Sequence, residues 1–292
     1  MDGALAASTK KLYLKHWEDF KSFMASLPNI SHLPATEHSV ALYVSYLHNQ
    51  KELASSTIRT RLSAIAYFHK IQGLTNPTLS FVISKLLSSY SKNYTGNTLT
   101  RKPISHELLL KLLHVVKVYP LSSYEKHMFS ALYVLMYEAA LRVSEILYSK
   151  LNSHNLQIEQ LRLNSKAVTI KFETYKHSQA ASPKIVVAAT RDIYCPVKLV
   201  KKYLSVRKPG PGPIFLGTNS KPITRTYLVK YLKFFLRVLN LNPKFYNSHS
   251  FRIGKATDLA MRGFSDSKIA LVGRWKSNAF KKYLKPGFVL AN

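Results

Sequence analysis

LQIEQLRL (156–163), KAVTIKFETY (166–175) and PKIVVAA (183–189) decide how the rest of this chain is read. Apolar and β-branched side chains alternate there with polar ones, the pattern of strands that bury one face. The three stretches predict a small antiparallel sheet. Around them the spacing is helical. Ser105 is placed to cap a helix through Val116, and a mostly apolar helix is expected over Ser123–Ala139. Downstream, helices are expected at Pro196–Val206, Thr224–Leu239, Ser250–Arg262 and Asp266–Leu271, with a Pro/Gly loop over 209–213 between the first two. Upstream, Thr9–Ser26 places Trp17, Phe20 and Phe23 at helical spacing before Pro28 and Pro34 break the chain. Thr36 then caps a helix carrying Val40, Val44 and Leu47. Ser56–Ile71 turns Ile58, Leu62 and Ile65 inward and leaves Arg59, Arg61 and Lys70 outside, and a fourth helix covers Leu79–Tyr90. The polar, basic stretch SKNYTGNTLTRKP (91–103) reads as a linker. The expected class is α+β, mainly α: a helical N-terminal domain over 1–92, a linker over 93–104, and a sheet-bearing domain over 105–292.

Composition narrows the partner. Hydrophobic residues make up 46% of 292, far too many for a disordered basic tail. Lys and Arg number 43 against 14 Asp and Glu, a net +29 that calls for a polyanionic partner. The excess is uneven: residues 193–292 hold 20 basic and 2 acidic side chains, a net +18, against +7 over 1–104 and +4 over 105–192. Charge alone does not separate generic nucleic-acid binding from catalysis. The single cysteine, Cys195, excludes an intramolecular disulfide and a cysteine-rich zinc site. No signal pattern opens the chain and no apolar run approaches a membrane span, so no membrane partner is expected. The expected location is nuclear in a eukaryote and cytoplasmic otherwise.

Several residues combine into one chemistry. Arg142 in ALRVSE follows an apolar helix, with Glu145 three residues on to orient it. His249 and Arg252 in HSFR, read as i and i+3 of one helix, share a face. Two guanidiniums can clamp a phosphate, and a lysine and a histidine can move protons. Lys176, where a hairpin tip begins, is the preferred lysine, with Lys171, Lys184 and His177 as neighbours. Trp275 offers a packing face and one donor. Tyr283 in AFKKYLKP is one of 18 tyrosines, so its value lies in its position, 31 residues after Arg252 and 8 after Trp275.

The order Arg142, Lys176, His249-x-x-Arg252, Trp275, Tyr283 resembles the tyrosine recombinase (phage integrase) family over nearly the whole chain. The wording G-R-W is similar to recombinases of eukaryotic DIRS-like mobile elements. The resemblance implies a helical core-binding (SAM-like) domain and a catalytic domain that clamp double-stranded DNA. It implies a site-specific recombinase or integrase working through a covalent 3′-phosphotyrosine, without cofactor or metal, as a homotetramer on synapsed sites. Arg142, Lys176, His249, Arg252, Trp275 and Tyr283 would be catalytic, Glu145 supporting. Arg59, Arg61, Lys70, Arg101, Lys102, Lys255 and Arg274 are expected to touch DNA. The Trp275-to-Tyr283 interval is one residue shorter than in many members. Two rivals stand beside this reading: type IB topoisomerase-like relaxation, and an inactive element-derived DNA-binding protein.

Overall fold

A computed structural model describes residues 5–28, 31–93, 101–149, 155–172, 184–275, 277–284 and 287. The chain divides into two compact units, Met1–Thr98 and Leu99–Asn292. Among the described residues no helix is long and apolar enough to cross a membrane.

The first unit is helical: α1 (Ala7–Ala25), α2 (Glu37–Asn49), α3 (Ser55–Ile71) and α4 (Phe81–Asn93). Thr36 starts α2 as expected, its hydroxyl accepting from the Ser39 N–H at 3.1 Å. Phe20, Val40, Val44, Ile58 and Ile65 are completely buried and form the centre of its core. Helix α4 starts later than the apolar spacing predicts. Asn76 accepts from the Thr78 N–H at 3.1 Å and holds Pro77–Leu79 in a 3-10 turn, after which Ser80 accepts from the Ile83 N–H at 3.2 Å. Two local caps thus decide a boundary that hydrophobic periodicity leaves open.

The second unit holds α5 (His106–Val118), α6 (Ser123–Glu138), α7 (Val143–Ile146), β1 (Leu161–Leu163), β2 (Ala167–Lys171), β3 (Lys184–Ala188), α8 (Pro196–Val206), α9 (Arg225–Val238), α10 (Ser250–Met261) and α11 (Asp266–Gly273). Helix α6 is its axis. Every residue from Met128 to Tyr137 is buried, as a helix apolar on all sides must be, and α5, α8 and α10 pack around it. Ser122 and Glu125 close a reciprocal capping box at its start.

The sheet runs β1-β2-β3, antiparallel throughout, with Leu161 opposite Ile170 and Val168 opposite Val187. Val168 and Ile170 point into the core, where β2 meets α8. The first stretch, LQIEQLRL, yields less strand than its alternation predicts. Ile158–Gln160 is a 3-10 turn and only Leu161–Leu163 pairs with β2. The backbone of the upstream half is bonded elsewhere: Leu156 N–H to Glu145 O at 2.7 Å, Ile158 N–H to Gly212 O at 2.9 Å, and Ile214 N–H to Leu156 O at 3.1 Å. Alternation marked the buried face, but loop and helix partners took the hydrogen bonds.

Residues 101–104, read above as linker, are bound into the second unit. Lys102 N–H donates to Phe245 O at 2.9 Å and Ile104 N–H to Ser250 O at 3.0 Å, beside the start of α10. Gly254 makes this approach possible, since a Cβ there would lie 1.7 Å from the Ile104 carbonyl oxygen. Because the obstructing atom is backbone in a buried strap, Gly254→Ala is expected to destabilise the second unit by about 1–3 kcal/mol or more. A urea unfolding midpoint equal to wild type would show that the strap is not held against α10.

Candidate active site

The site begins at the C-terminus of α6. The chain leaves the helix through Ala139, Ala140 and Leu141, all buried, with Ala140 in the left-handed region at φ 44°. Ala140 N–H bonds Tyr137 O at 3.0 Å and Leu141 N–H bonds Met136 O at 3.1 Å, a closed helix end that still leaves the last carbonyls to be satisfied. Guanidiniums satisfy them. Arg252 Nη1 donates to Ala140 O at 2.5 Å, and Arg274 donates to Ala139 O at 3.0 Å and Ala140 O at 3.3 Å. Cations at the negative end of a helix dipole are favourably placed.

One turn on, Arg142 opens α7. Glu145 is 6% exposed and reaches back to it twice, accepting from the Arg142 N–H at 2.8 Å and from Nη1 at 2.7 Å. The same carboxylate accepts from Arg274 Nη2 at 2.8 Å. Burial would raise the Glu145 carboxyl, but Arg274, Arg142 and the Arg142 N–H outweigh it and hold it below its ordinary value. Arg142 keeps a side-chain exposure of 31%, so its fork is anchored on one side and open on the other.

Helix α10 carries the second clamp. Arg252 is 1% exposed; besides Ala140 O, its Nη2 donates to Gly273 O, and its guanidinium lies 4.2 Å from the centre of the Trp275 ring. Burial first, then Arg142 and Arg274, push Arg252 down to about 9, which leaves it protonated at neutral pH. Trp275 in turn packs on Tyr283, with centroids 5.6 Å apart. The His249 and Tyr283 rings meet edge to face, with centroids 4.9 Å apart. Thr257 Oγ1 donates to Tyr283 O at 3.1 Å and ties the tyrosine backbone to α10. Five residues spread from 142 to 283 therefore join one contiguous cluster: Arg142, His249, Arg252, Trp275 and Tyr283.

Local structure differs from the sequence reading at His249. His249 precedes α10 as its N-cap, with its N–H bonded to Asn247 Oδ1 at 2.8 Å, so it faces Tyr283 from the helix mouth. Tyr283 ends a 3-10 turn, Asn278–Tyr283. Phe280, buried beneath the turn with Ala256, Leu259 and Ile269, holds it down.

Charge dominates the pocket. Among the described residues, Glu145 is bonded to Arg142 and Arg274 and Arg252 lies within its electrostatic reach, an excess of positive charge that suits an anionic phosphodiester. Burial, followed by Arg252, Arg142 and Arg225, pushes the His249 imidazole down to about 4. At neutral pH it is uncharged and can accept a proton. Arg225, exposed at the first turn of α9, is a charge the sequence reading missed. Thr224 just before it pairs with Tyr148, beyond α7, and no sequence signal marks that bridge.

Lys176 lies outside the described residues; β2 ends at Lys171 and β3 begins at Lys184, opposite each other. Two cations assigned above to DNA contact are corrected. Arg274 is turned inward onto Glu145, its side chain 8% exposed, and Lys255 is paired with Glu138 at 2.6 Å over the Tyr137 ring. Arg61, in the first unit, is half-buried against Asp19 at 2.8 Å, a partner the helical spacing did not reveal. Arg59 and Lys70 are exposed. Arg101 is exposed with its guanidinium on Lys244 O, and Lys102 lies over the Phe245 ring.

Two arginines, a neutral histidine and a tyrosine thus stand together on this fold, a set with the chemistry to bind and attack a phosphodiester. Residues 102–285, more than half the chain, match the phage integrase family, and the chain belongs to it. It is thus an enzyme of DNA strand cleavage and religation. The fold is similar to that of the Tn1549 transposon integrase in complex with transposon right-end DNA: 14% identity, TM-score 0.69, covering 97% of this chain and 91% of that one. It is similar also to XerH site-specific recombinase bound to palindromic difH substrate in a post-cleavage complex, at 16% identity and TM-score 0.67, over 94% and 75% of the two chains. A lambda integrase dimer bound to a COC′ core site gives 15% identity and TM-score 0.58, over 97% and 73%. No curated protein sequence matches the chain.

The His249 environment has a measurable consequence. Unfolded, the imidazole titrates near about 6.5; folded, it is held to about 4. Between those values the unfolded chain binds the extra proton, so stability falls as pH drops through that window. The Glu145 contribution, fully present above the unfolded carboxylate value, is lost only as pH falls through its lower folded value. The urea midpoint of wild type is therefore expected to fall more between about pH 7 and about pH 4.5 than that of His249→Gln. Parallel curves would mean that His249 is free to protonate in the folded protein.

Proposed function

We propose that this protein is a site-specific DNA recombinase of a mobile element, acting on double-stranded DNA through a covalent 3′-phosphotyrosine. The convergence of Arg142, His249, Arg252, Trp275 and Tyr283 carries the reading. In it, Arg142 and Arg252 hold the non-bridging oxygens of the scissile phosphate. Arg252 keeps Nη1 on the Ala140 carbonyl and turns its remaining N–H donors to the phosphate oxygens when DNA enters, while Trp275 keeps its guanidinium flat. The Tyr283 phenol oxygen attacks phosphorus and its proton passes to His249. The bond from phosphorus to the 5′-oxygen breaks, and Lys176 protonates the departing oxygen. A partner strand's 5′-hydroxyl then attacks the phosphotyrosine, releases Tyr283 and rejoins DNA, so the phosphodiester energy is retained throughout.

The complexes recorded for the Tn1549 integrase, XerH and lambda integrase support duplex DNA as the partner. In this reading the protein works as a homotetramer on synapsed sites, and the similarity of its G-R-W wording supports a kinship with recombinases of eukaryotic DIRS-like elements. Arg59, Arg61, Lys70, Arg101 and Lys102 remain the assigned DNA contacts. The location proposed with it is nuclear in a eukaryote and cytoplasmic otherwise.

The test is a nicked suicide duplex carrying the repeats that flank the coding region. Wild type is expected to form a covalent adduct and Tyr283→Phe none. Arg142→Ala and Arg252→Ala should each slow adduct formation by roughly 100-fold or more while retaining most salt-sensitive binding. An adduct persisting in Tyr283→Phe would move the nucleophile elsewhere. Relaxation of supercoiled plasmid without strand exchange would assign the protein to the topoisomerase-like alternative.

A further inference from the structure

Arg274 occupies a backbone position that costs stability. Helix α11 closes with Arg274 N–H on Leu271 O at 3.1 Å and Trp275 N–H on Ala270 O at 2.9 Å, and Arg274 is left-handed at φ 55°. Glycine is the usual residue there, because a Cβ in that conformation is disfavoured by roughly 1 kcal/mol. Here glycine stands one position earlier. Gly273 is needed where it is, since a Cβ on it would lie 1.7 Å from the Trp275 ring. The left-handed position is therefore filled by the longest available cationic side chain, and that side chain is almost wholly buried.

What it touches explains the choice. Its two terminal nitrogens meet Glu145, Ala139 O, Ala140 O and Val272 O. Glu145 is the carboxylate that holds Arg142, and Ala140 O is the acceptor of Arg252 Nη1. Arg274 thus binds the anchors of both phosphate clamps at once. We infer that Arg274 is a positioning residue that sets the two clamps, Arg142 through Glu145 and Arg252 through the Ala140 carbonyl, at the separation one phosphate requires. This rests on the strand-cleavage reading above.

Arg274→Gly separates this role from bulk stability, because it relieves the backbone while removing the side chain. Arg274→Gly, Arg274→Lys and Glu145→Gln are to be compared with wild type on the nicked suicide duplex, in single-turnover adduct formation over a range of pH. DNA affinity against salt and thermal unfolding complete the set. The expectation for Arg274→Gly is a folded protein with the wild-type salt slope and adduct formation slowed by roughly 100-fold, the effect of misplacing a reacting group by about 1 Å. The acid limb of its rate profile should move to higher pH, since Glu145 loses one of its two cations and protonates more readily. Arg274→Lys should recover part of the rate, and Arg274→Gly with Glu145→Gln should be little worse than either alone. Wild-type rate in Arg274→Gly would overturn the inference, as would a lost rate accompanied by a shallower salt slope, which is the mark of a direct phosphate contact. A wild type that forms no adduct would instead reject the strand-cleavage reading.

Discussion

The carboxylate of Glu145 is the point on which this site depends. Three guanidiniums, those of Arg142, Arg252 and Arg274, are gathered where water is scarce, and like charges at short range in such a medium repel strongly. Among the described residues, Glu145 is the acidic group bonded to Arg142 and Arg274. Removing one partner of a buried, hydrogen-bonded pair typically costs about 3–5 kcal/mol, because the remaining charge is stranded. The balance is incomplete by design of the chemistry. One carboxylate cannot neutralise three cations, and the remaining positive potential is available to an anion arriving from outside.

That arrangement needs a platform that does not yield. Helix α6 provides it, buried on every side from Met128 to Tyr137 and braced by α5, α8 and α10. Its last carbonyls, at Ala139 and Ala140, are both the negative pole of the helix and the acceptors for Arg252 and Arg274. Hydrophobic burial along the helix therefore fixes the coordinates of the polar site at its end. The Glu138–Lys255 pair joins α6 to α10 one turn away and keeps the second clamp in register with the first. Catalytic geometry here is inherited from core packing.

The helices and the sheet were legible because periodicity records which face is buried. Caps at Thr36, Ser105 and Ser122 sit at or within a residue of the positions that local side-chain chemistry indicates. Where legibility failed, a hydrogen bond that the apolar pattern does not record was responsible, local in some places and distant in others. Gln157 and Ile158 alternate like a strand, yet the Ile158 N–H is taken by the carbonyl of Gly212. His249 has the spacing of a residue on the face of α10, yet Asn247 fixes it as the cap. Arg274 and Lys255 read as surface cations because nothing in their neighbourhood along the chain announces Glu145, 129 residues away from the first, or Glu138, 117 away from the second.

By itself the sequence determined the order of elements, the excess of positive charge and the inventory of reactive groups, since each follows from local spacing or from counting. It also ordered the arginine, histidine, tryptophan and tyrosine along the chain. Only the tertiary structure decided which charges face a partner and which face each other. Folding brings α7, α10 and the 3-10 turn of Tyr283 to the end of one buried helix. An arginine becomes a clamp or a brace according to whether its acceptor is already present across that junction.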